Sequence, residues 1–314
     1  MGIEFRTSVA QLGVEVLNIA KADFGDPATC QELRQAWIQH GLIIFREAAG
    51  PQLQLSLSRV FGKLVQHPLV ASRARDYPEL MDVHYEPASG DLYEIEGVGR
   101  GIFLPWHKDL IYTDRINHGG ILRPVQLPLS EGETGFLDQI ALYDRLPSRL
   151  KHQIKDLFVI YRADFHVENA RFARLPTSLK RVRYGESTVK AQTQTRDAPR
   201  VLHPMVFTQN ETGRKVLNVS PWFAVGIDGQ ETEAGDLLLQ EIIDHCLNDG
   251  RAYFHSWRPD DMVLFDNWRM LHSVRSIPGD SSRWMQRTTI EGDYALGRVE
   301  TGGTTIRDAM RISV

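Results

Sequence analysis

The 314-residue chain is poor in cysteine, with only Cys30 and Cys246, far apart and without a metal-type spacing. That argues against a disulfide framework and against a zinc-thiolate centre, and favours a reducing, cytoplasmic location. A surplus of one charge is lacking too: 36 Lys and Arg stand against 40 Asp and Glu, a net charge of -4. With both signs spread along most of the chain there is no footprint for nucleic acid or an anionic membrane. No apolar run approaches the length that spans a bilayer, and Met1-Gly2-Ile3-Glu4-Phe5-Arg6 has no basic segment followed by an apolar core. Internal repeats and low-complexity linkers are absent as well. What is left is a globular chain with ample core, expected to be a single domain over residues 1–314 with small-molecule partners.

Local patterning is mixed. Asp26-Pro27 opens a helix carrying Leu33 and Trp37, and Gly41 closes it. Gly41-Leu42-Ile43-Ile44-Phe45-Arg46 reads as a buried strand, and a second Pro-led helix runs from Pro51 to about Gly62. From His67 to Gly101 the pattern is irregular. Gly120 to Leu127 reads as a strand, Glu131 to Gly135 as a tight turn, and Asp138 caps a helix through Leu142. Residues 171–200 are basic, with Arg171, Arg174, Lys180, Arg181, Arg183, Lys190, Arg196 and Arg200, and form either a solvated loop or part of a mobile lid at about 165–200 over an anionic substrate pocket. Asn210-Glu211-Thr212-Gly213 marks a hairpin, a long helix spans about Ala234 to Leu247, and another hairpin turns at Arg258-Pro259. Many short strands with helices gathered outside them predict a mainly β fold with flanking α, a double-stranded β-helix (cupin-like jelly roll).

The chemistry centres on Pro105-Trp106-His107-Lys108-Asp109. Residues two apart on a strand share a face, so His107 and Asp109 converge on one point. A second imidazole would complete the two-His-one-carboxylate triad that holds non-haem Fe(II) with open positions. His166-Val167-Glu168 is a similar pair and reads as a decoy. The strand running into Asp266-Asn267 and then His272 has the look of the third ligand, reaching in from the opposite side of the barrel. In Ser282-Arg283-Trp284-Met285-Gln286-Arg287, Arg283 and Arg287 share a strand face. If that face points inward, two buried guanidinium groups each require an anion. A 2-oxo acid supplies the first: it chelates the metal while its far carboxylate meets Arg283 and the Thr134 hydroxyl. Arg287 is then free for an acidic group on the substrate; an internal ion pair with an Asp or Glu is the alternative.

Taken together, Trp106-His107-Lys108-Asp109, Thr134, His203-Pro204 leading into Thr212-Gly213-Arg214-Lys215, Asp266-Asn267 with His272, and Arg283 with Arg287 closely resemble the taurine dioxygenase family of Fe(II)/2-oxoglutarate-dependent oxygenases, from about Val9 to Gly297. The resemblance implies His107, Asp109 and His272 as iron ligands, Thr134 and Arg283 on 2-oxoglutarate, Arg287 on the substrate anion, O2 as co-substrate, and a dimer or tetramer. Departures matter for specificity. After Gly62-Lys63-Leu64-Val65-Gln66-His67-Pro68 the chain continues Leu69-Val70-Ala71-Ser72-Arg73, without the polar groups that taurine enzymes present to the substrate amine. Phe103, Tyr112, Trp222 and Phe223, if they line the pocket, favour an apolar body with one anionic group, a carboxylate ahead of a sulfonate. The expected reaction is hydroxylation of a small organic acid with release of succinate and CO2. A sulfonate or sulfate ester as substrate, desaturation of an amino-acid derivative, and a metal-binding jelly-roll sensor without oxygenase activity stand as alternatives.

Overall fold

A computed structural model describes residues 3–7 and 12–300. Why the apolar run Leu42–Phe45 is buried on every residue is explained by its neighbours. Leu42 and Ile44 point into one cluster with Phe136, Val263, Phe265 and Met270, whereas Ile43 and Phe45 point into another with Leu33, Trp37, Leu57, Phe61 and Leu264. A strand covered on both faces has no polar side, so its alternation disappears. It lies in a seven-stranded sheet with the order Glu4–Thr7, Val14–Leu17, Leu42–Phe45, Met262–Asp266, Gly119–Gln126, Arg283–Thr288, Leu80–Tyr85. All pairings are antiparallel except that of Val14–Leu17 with Leu42–Phe45.

The helices Pro27–His40 and Pro51–Phe61 cover the outer face of this sheet. The first is capped as its sequence predicts: the Asp26 carboxylate accepts from the N–H groups of Ala28 and Thr29 at 3.3 and 3.0 Å, and Gly41 ends it at φ 70°. The inner face looks onto a four-stranded sheet with the order Tyr253–His255, Thr134–Asp138, Met270–Val274, Leu104–His107. Phe136 of the small sheet and Phe265 of the large one meet at 5.9 Å between ring centroids. Two facing, largely antiparallel sheets of this kind form the jelly-roll core expected from the sequence.

The turn at Arg258-Pro259 joins strands of the two different sheets and does not close a hairpin, and two further segments depart from the sequence reading. Residues 67–101 are not irregular throughout: Leu80–Tyr85 is the edge strand of the large sheet, and Leu92–Ile95 and Val98–Gly101 form a hairpin. Polar groups obscure the first of these because they are matched across the sheet, Asp82 accepting from the Trp284 indole at 2.8 Å and from Gln286 at 3.1 Å. Within 171–200, Lys180–Arg183 adds a strand beside Leu92–Ile95, and Glu186–Gln194 is a helix. A long helix, Glu233–Asn248, buries Leu239, Ile242, Ile243 and Cys246 in one cluster with Val159, Tyr161 and Ile227.

Candidate metal centre

His107 is the last residue of its strand, and its cross-strand partner is His272. The second imidazole therefore comes from the adjacent strand of the same small sheet, not from across the barrel; strand register was not readable from the sequence. The two rings lie 4.2 Å apart between centroids. Asp109 Oδ1 is 4.0 Å from His107 Nε2 and 3.6 Å from His272 Nε2, and one ligand atom from each of the three residues falls within 4.8 Å of the others. No other such group of His, Cys, Asp or Glu occurs among the described residues. His166 and Glu168 are engaged elsewhere: Glu168 accepts from Arg181 and Tyr184, and His166 packs on the Tyr184 ring.

Both imidazoles are held neutral. Burial pushes His272 down to about 3, with the Lys108 ammonium adding to the effect. Burial likewise holds His107 well below its ordinary value, helped by His272. The His107 Nδ1–H donates to the Pro105 carbonyl at 2.7 Å, which leaves the Nε2 lone pair for a ligand. Lys108, between His107 and Asp109, turns away and is fully buried, donating to Asn218 Oδ1 at 2.8 Å and to the Trp268 carbonyl at 2.6 Å.

The two arginines of the Arg283–Thr288 strand do point inward. Arg283 has no exposed surface, and its Nε, Nη1 and Nη2 all lack a hydrogen-bond partner among the described residues. Burial pushes its guanidinium down to about 10. Such a group in the interior calls for an anion. Thr134 lines the same cavity, and because its Oγ1 accepts from the Trp257 indole at 3.0 Å its own proton is free to donate. The turn before it packs on the arginine: a side chain on Gly132, at φ 77°, would lie 2.9 Å from Ile277 Cγ2 and 3.4 Å from Arg283 Cδ. A neutral His pair with a carboxylate, beside an orphaned buried guanidinium, fits Fe(II) and the far carboxylate of 2-oxoglutarate.

Arg287 is less simple. Its Nη1 pairs with Asp109 Oδ2, and its Nη2 donates to the Met81 thioether at 3.3 Å. The internal ion pair is thus present, with Asp109 turning one oxygen to the imidazoles and the other to Arg287. Arg287 nevertheless lines the cavity, as does His67, a residue the sequence reading passed over. His67 Nδ1 accepts the Leu69 N–H at 3.3 Å, so its proton sits on Nε2.

The cavity holding these groups has a volume of about 220 Å³. Its wall includes Leu69, Met81, Tyr112, Phe165, Trp222 and Phe223. Tyr112 and Phe223 meet at 4.9 Å, and Phe223 stacks on Trp222 at 4.3 Å. Phe103 does not reach it; that ring is half-buried and sits edge-on to Tyr93 at 6.4 Å. The basic run does not reach it either. Arg171, Arg174 and Arg200 pair with Asp236, Asp244 and Glu231, Arg181 pairs with Asp91 and Glu168, and the segment offers the cavity only Ser187, Thr188 and Ala191.

A jelly roll that brings a His-Asp-His cluster and a buried arginine to one cavity defines a non-haem Fe(II)/2-oxoglutarate-dependent dioxygenase, with O2 as the further co-substrate. The sequence model described as "Taurine catabolism dioxygenase TauD, TfdA family" matches residues 4–289, and the chain belongs to that family. Among its relatives, the "(S)-phenoxypropionate/alpha-ketoglutarate-dioxygenase" of Sphingobium herbicidovorans is 29% identical over 292 residues, covering 91% of this chain and 94% of its own. The "Alkylsulfatase" of Acinetobacter baylyi is 24% identical over 308 residues, covering 96% and 89%. The crystal structure of a putative alpha-ketoglutarate-dependent taurine dioxygenase from Burkholderia xenovorans matches with a TM-score of 0.72 at 21% identity, covering 98% of this chain and 99% of that one. No helix among the described residues is long and apolar enough to cross a membrane.

Proposed function

We propose that this chain hydroxylates a small organic acid with an apolar body, consuming 2-oxoglutarate and O2 and releasing succinate and CO2. The observation that carries the reading is Arg283, a fully buried guanidinium without a hydrogen-bond partner among the described residues, in the same cavity as His107, Asp109 and His272. A metal-binding sensor would have no use for that second cation. His107, Asp109 and His272 would hold the iron, and Arg283 with the Thr134 hydroxyl would hold the far carboxylate of 2-oxoglutarate. When bound, iron and 2-oxoglutarate with O2 supply the oxidising power for attack on a C–H bond. The chain's own residues decide which bond is presented: Arg287, with the Nε2–H of His67 beside it, takes the substrate anion, and Tyr112, Phe165, Trp222 and Phe223 hold the apolar body and exclude water.

A carboxylate is the preferred anion, because an aromatic wall suits an aryl or alkyl acid such as the one named for the Sphingobium relative. A sulfate ester is the second reading, favoured by the name of the Acinetobacter relative. The chain would act as a single catalytic unit, in a reducing compartment that suits its two free, buried thiols. Its segment 165–200 would be a lid, because the helix Glu186–Gln194 lines the cavity with uncharged groups. The test is succinate release from purified, Fe(II)-loaded protein given 2-oxoglutarate and either aryloxy and acyl carboxylates or matched alkyl sulfates and sulfonates. Carboxylate-dependent succinate supports the first reading, sulfate-dependent succinate the second, and no stimulation by any acid overturns both.

A further inference from the structure

Asp109 lies beyond the end of its strand, where no neighbouring strand satisfies its backbone, and Leu110 after it takes φ 55°, a left-handed conformation that a leucine adopts only when its surroundings impose it. One side chain stands in for the missing neighbour. Asn267 Oδ1 accepts the Asp109 N–H at 2.8 Å, and Asn267 Nδ2 donates to the Asp109 carbonyl at 3.0 Å. Only the oxygen of the amide can take an N–H, so the orientation of the Asn267 side chain is fixed. Its second Nδ2 proton meets the Asn117 carbonyl at 3.1 Å, its backbone N–H meets the His118 carbonyl at 2.7 Å, and the residue has no exposed surface.

Asn267 also sits in the turn joining Met262–Asp266 to Met270–Val274, the strand of His272. The same turn receives Lys108, whose Nζ donates to the Trp268 carbonyl at 2.6 Å. Residues 108 and 109 are thereby tied to the turn that leads into the strand of the second imidazole. The opposing pull is Arg287, which pairs with Asp109 Oδ2 from the large sheet. An unrestrained loop would let the carboxylate follow that arginine.

We propose that Asn267 is a positioning residue: by clamping both backbone polar groups of Asp109 it sets the distance from that carboxylate to the two imidazoles, against Arg287, before metal arrives. This rests on reading His107, Asp109 and His272 as the metal ligands. Partners one layer behind a metal ligand typically contribute 10–100-fold in metal affinity.

The test compares full-length wild type with Asn267→Asp, which keeps the acceptor for the Asp109 N–H but has no donor for the carbonyl, with Asn267→Ala, and with Leu33→Ala, a core truncation remote from the site. Anaerobic titration gives the Co(II) and Fe(II) dissociation constants, and the Fe(II)–2-oxoglutarate absorption band is recorded for each. Both Asn267 variants should bind metal about 10–100-fold more weakly and shift the band, whereas Leu33→Ala should lower the melting temperature and change neither. Asn267 variants that lose only melting temperature overturn the proposal. Should neither variant fold, amide exchange decides in the wild type: the Asp109 N–H should be protected in the metal-free chain, and free exchange there overturns the clamp. Failure of the ligand reading itself looks different, since His107→Ala would then bind metal as well as wild type.

Discussion

Replacing Arg283 with methionine should make the ligand-free protein more stable. Burial lowers the guanidinium well below its ordinary value, to about 10, which at about 1.4 kcal/mol per pKa unit corresponds to about 3 kcal/mol against the charged form. None of its three nitrogens recovers any of that through a hydrogen bond to the described residues. Methionine keeps an unbranched stem in the site, so after allowance for lost packing the net gain should fall between about 1 and 3 kcal/mol. For a chain of this size that raises the melting temperature by roughly 2 °C per kcal/mol. Adding 2-oxoglutarate with an inert divalent metal should close or reverse that gap. Wild type gains about 2.7 kcal/mol at a ligand concentration 100 times its dissociation constant, and the variant should gain almost nothing. The assay is thermal unfolding of both proteins with and without 2-oxoglutarate. A variant that is less stable than wild type without ligand, yet stabilised by 2-oxoglutarate to the same extent, would refute the assignment of Arg283 to the co-substrate.

Other substitutions separate the remaining roles. His107→Ala and Asp109→Ala should each abolish Fe(II) binding and succinate formation, checked by metal analysis after anaerobic loading; retained metal would remove the triad. Arg287→Ala should raise the KM of the acid substrate about 30-fold or more, at the lower end of the 2–5 kcal/mol expected for truncating a buried charge partner, with much less effect on the 2-oxoglutarate KM. Equal effects on both would mean that the two anion positions are confused. Stability of the metal-free protein should fall in acid. His67, His203 and His272 are held down to about 3, 4 and 3 by burial, and His107 well below its usual value, so the folded chain takes up these protons later than the unfolded chain. Their contribution is complete above about pH 6.5 and is lost below it, at about 1.4 kcal/mol per pH unit for each histidine down to about pH 4. Urea midpoints measured from about pH 7.5 to 5.5 check this; a flat curve contradicts burial of neutral imidazoles.

Much of the fold was legible because its signals are local. Asp26, Pro27 and Gly41 mark a helix by capping chemistry that needs no tertiary context, and Leu42–Phe45 announces burial by composition alone. The His107 and Asp109 pair was legible from spacing. That His272 is the cross-strand neighbour of His107 was not, since register depends on turns and partners distant in sequence. The edge strand Leu80–Tyr85 was hidden because its Asp82 answers Trp284 and Gln286 on a strand some two hundred residues later. Phe103 was misplaced for a related reason: the aromatic content of the pocket was readable, but which ring turns inward is decided by backbone geometry, as at Phe223 with its φ of 76°. The basic run 171–200 misled because its acidic partners, Asp91, Asp236, Asp244 and Glu231 among them, come from remote segments and neutralise it at the surface.

The most direct measurement is anaerobic difference spectroscopy of the purified chain with Fe(II) and 2-oxoglutarate, followed by O2 and the acid panel. A visible charge-transfer band that needs both additions, and succinate release accelerated by one class of acid, is the predicted result. Iron-loaded, folded protein that gives no band and no succinate would contradict the central claim.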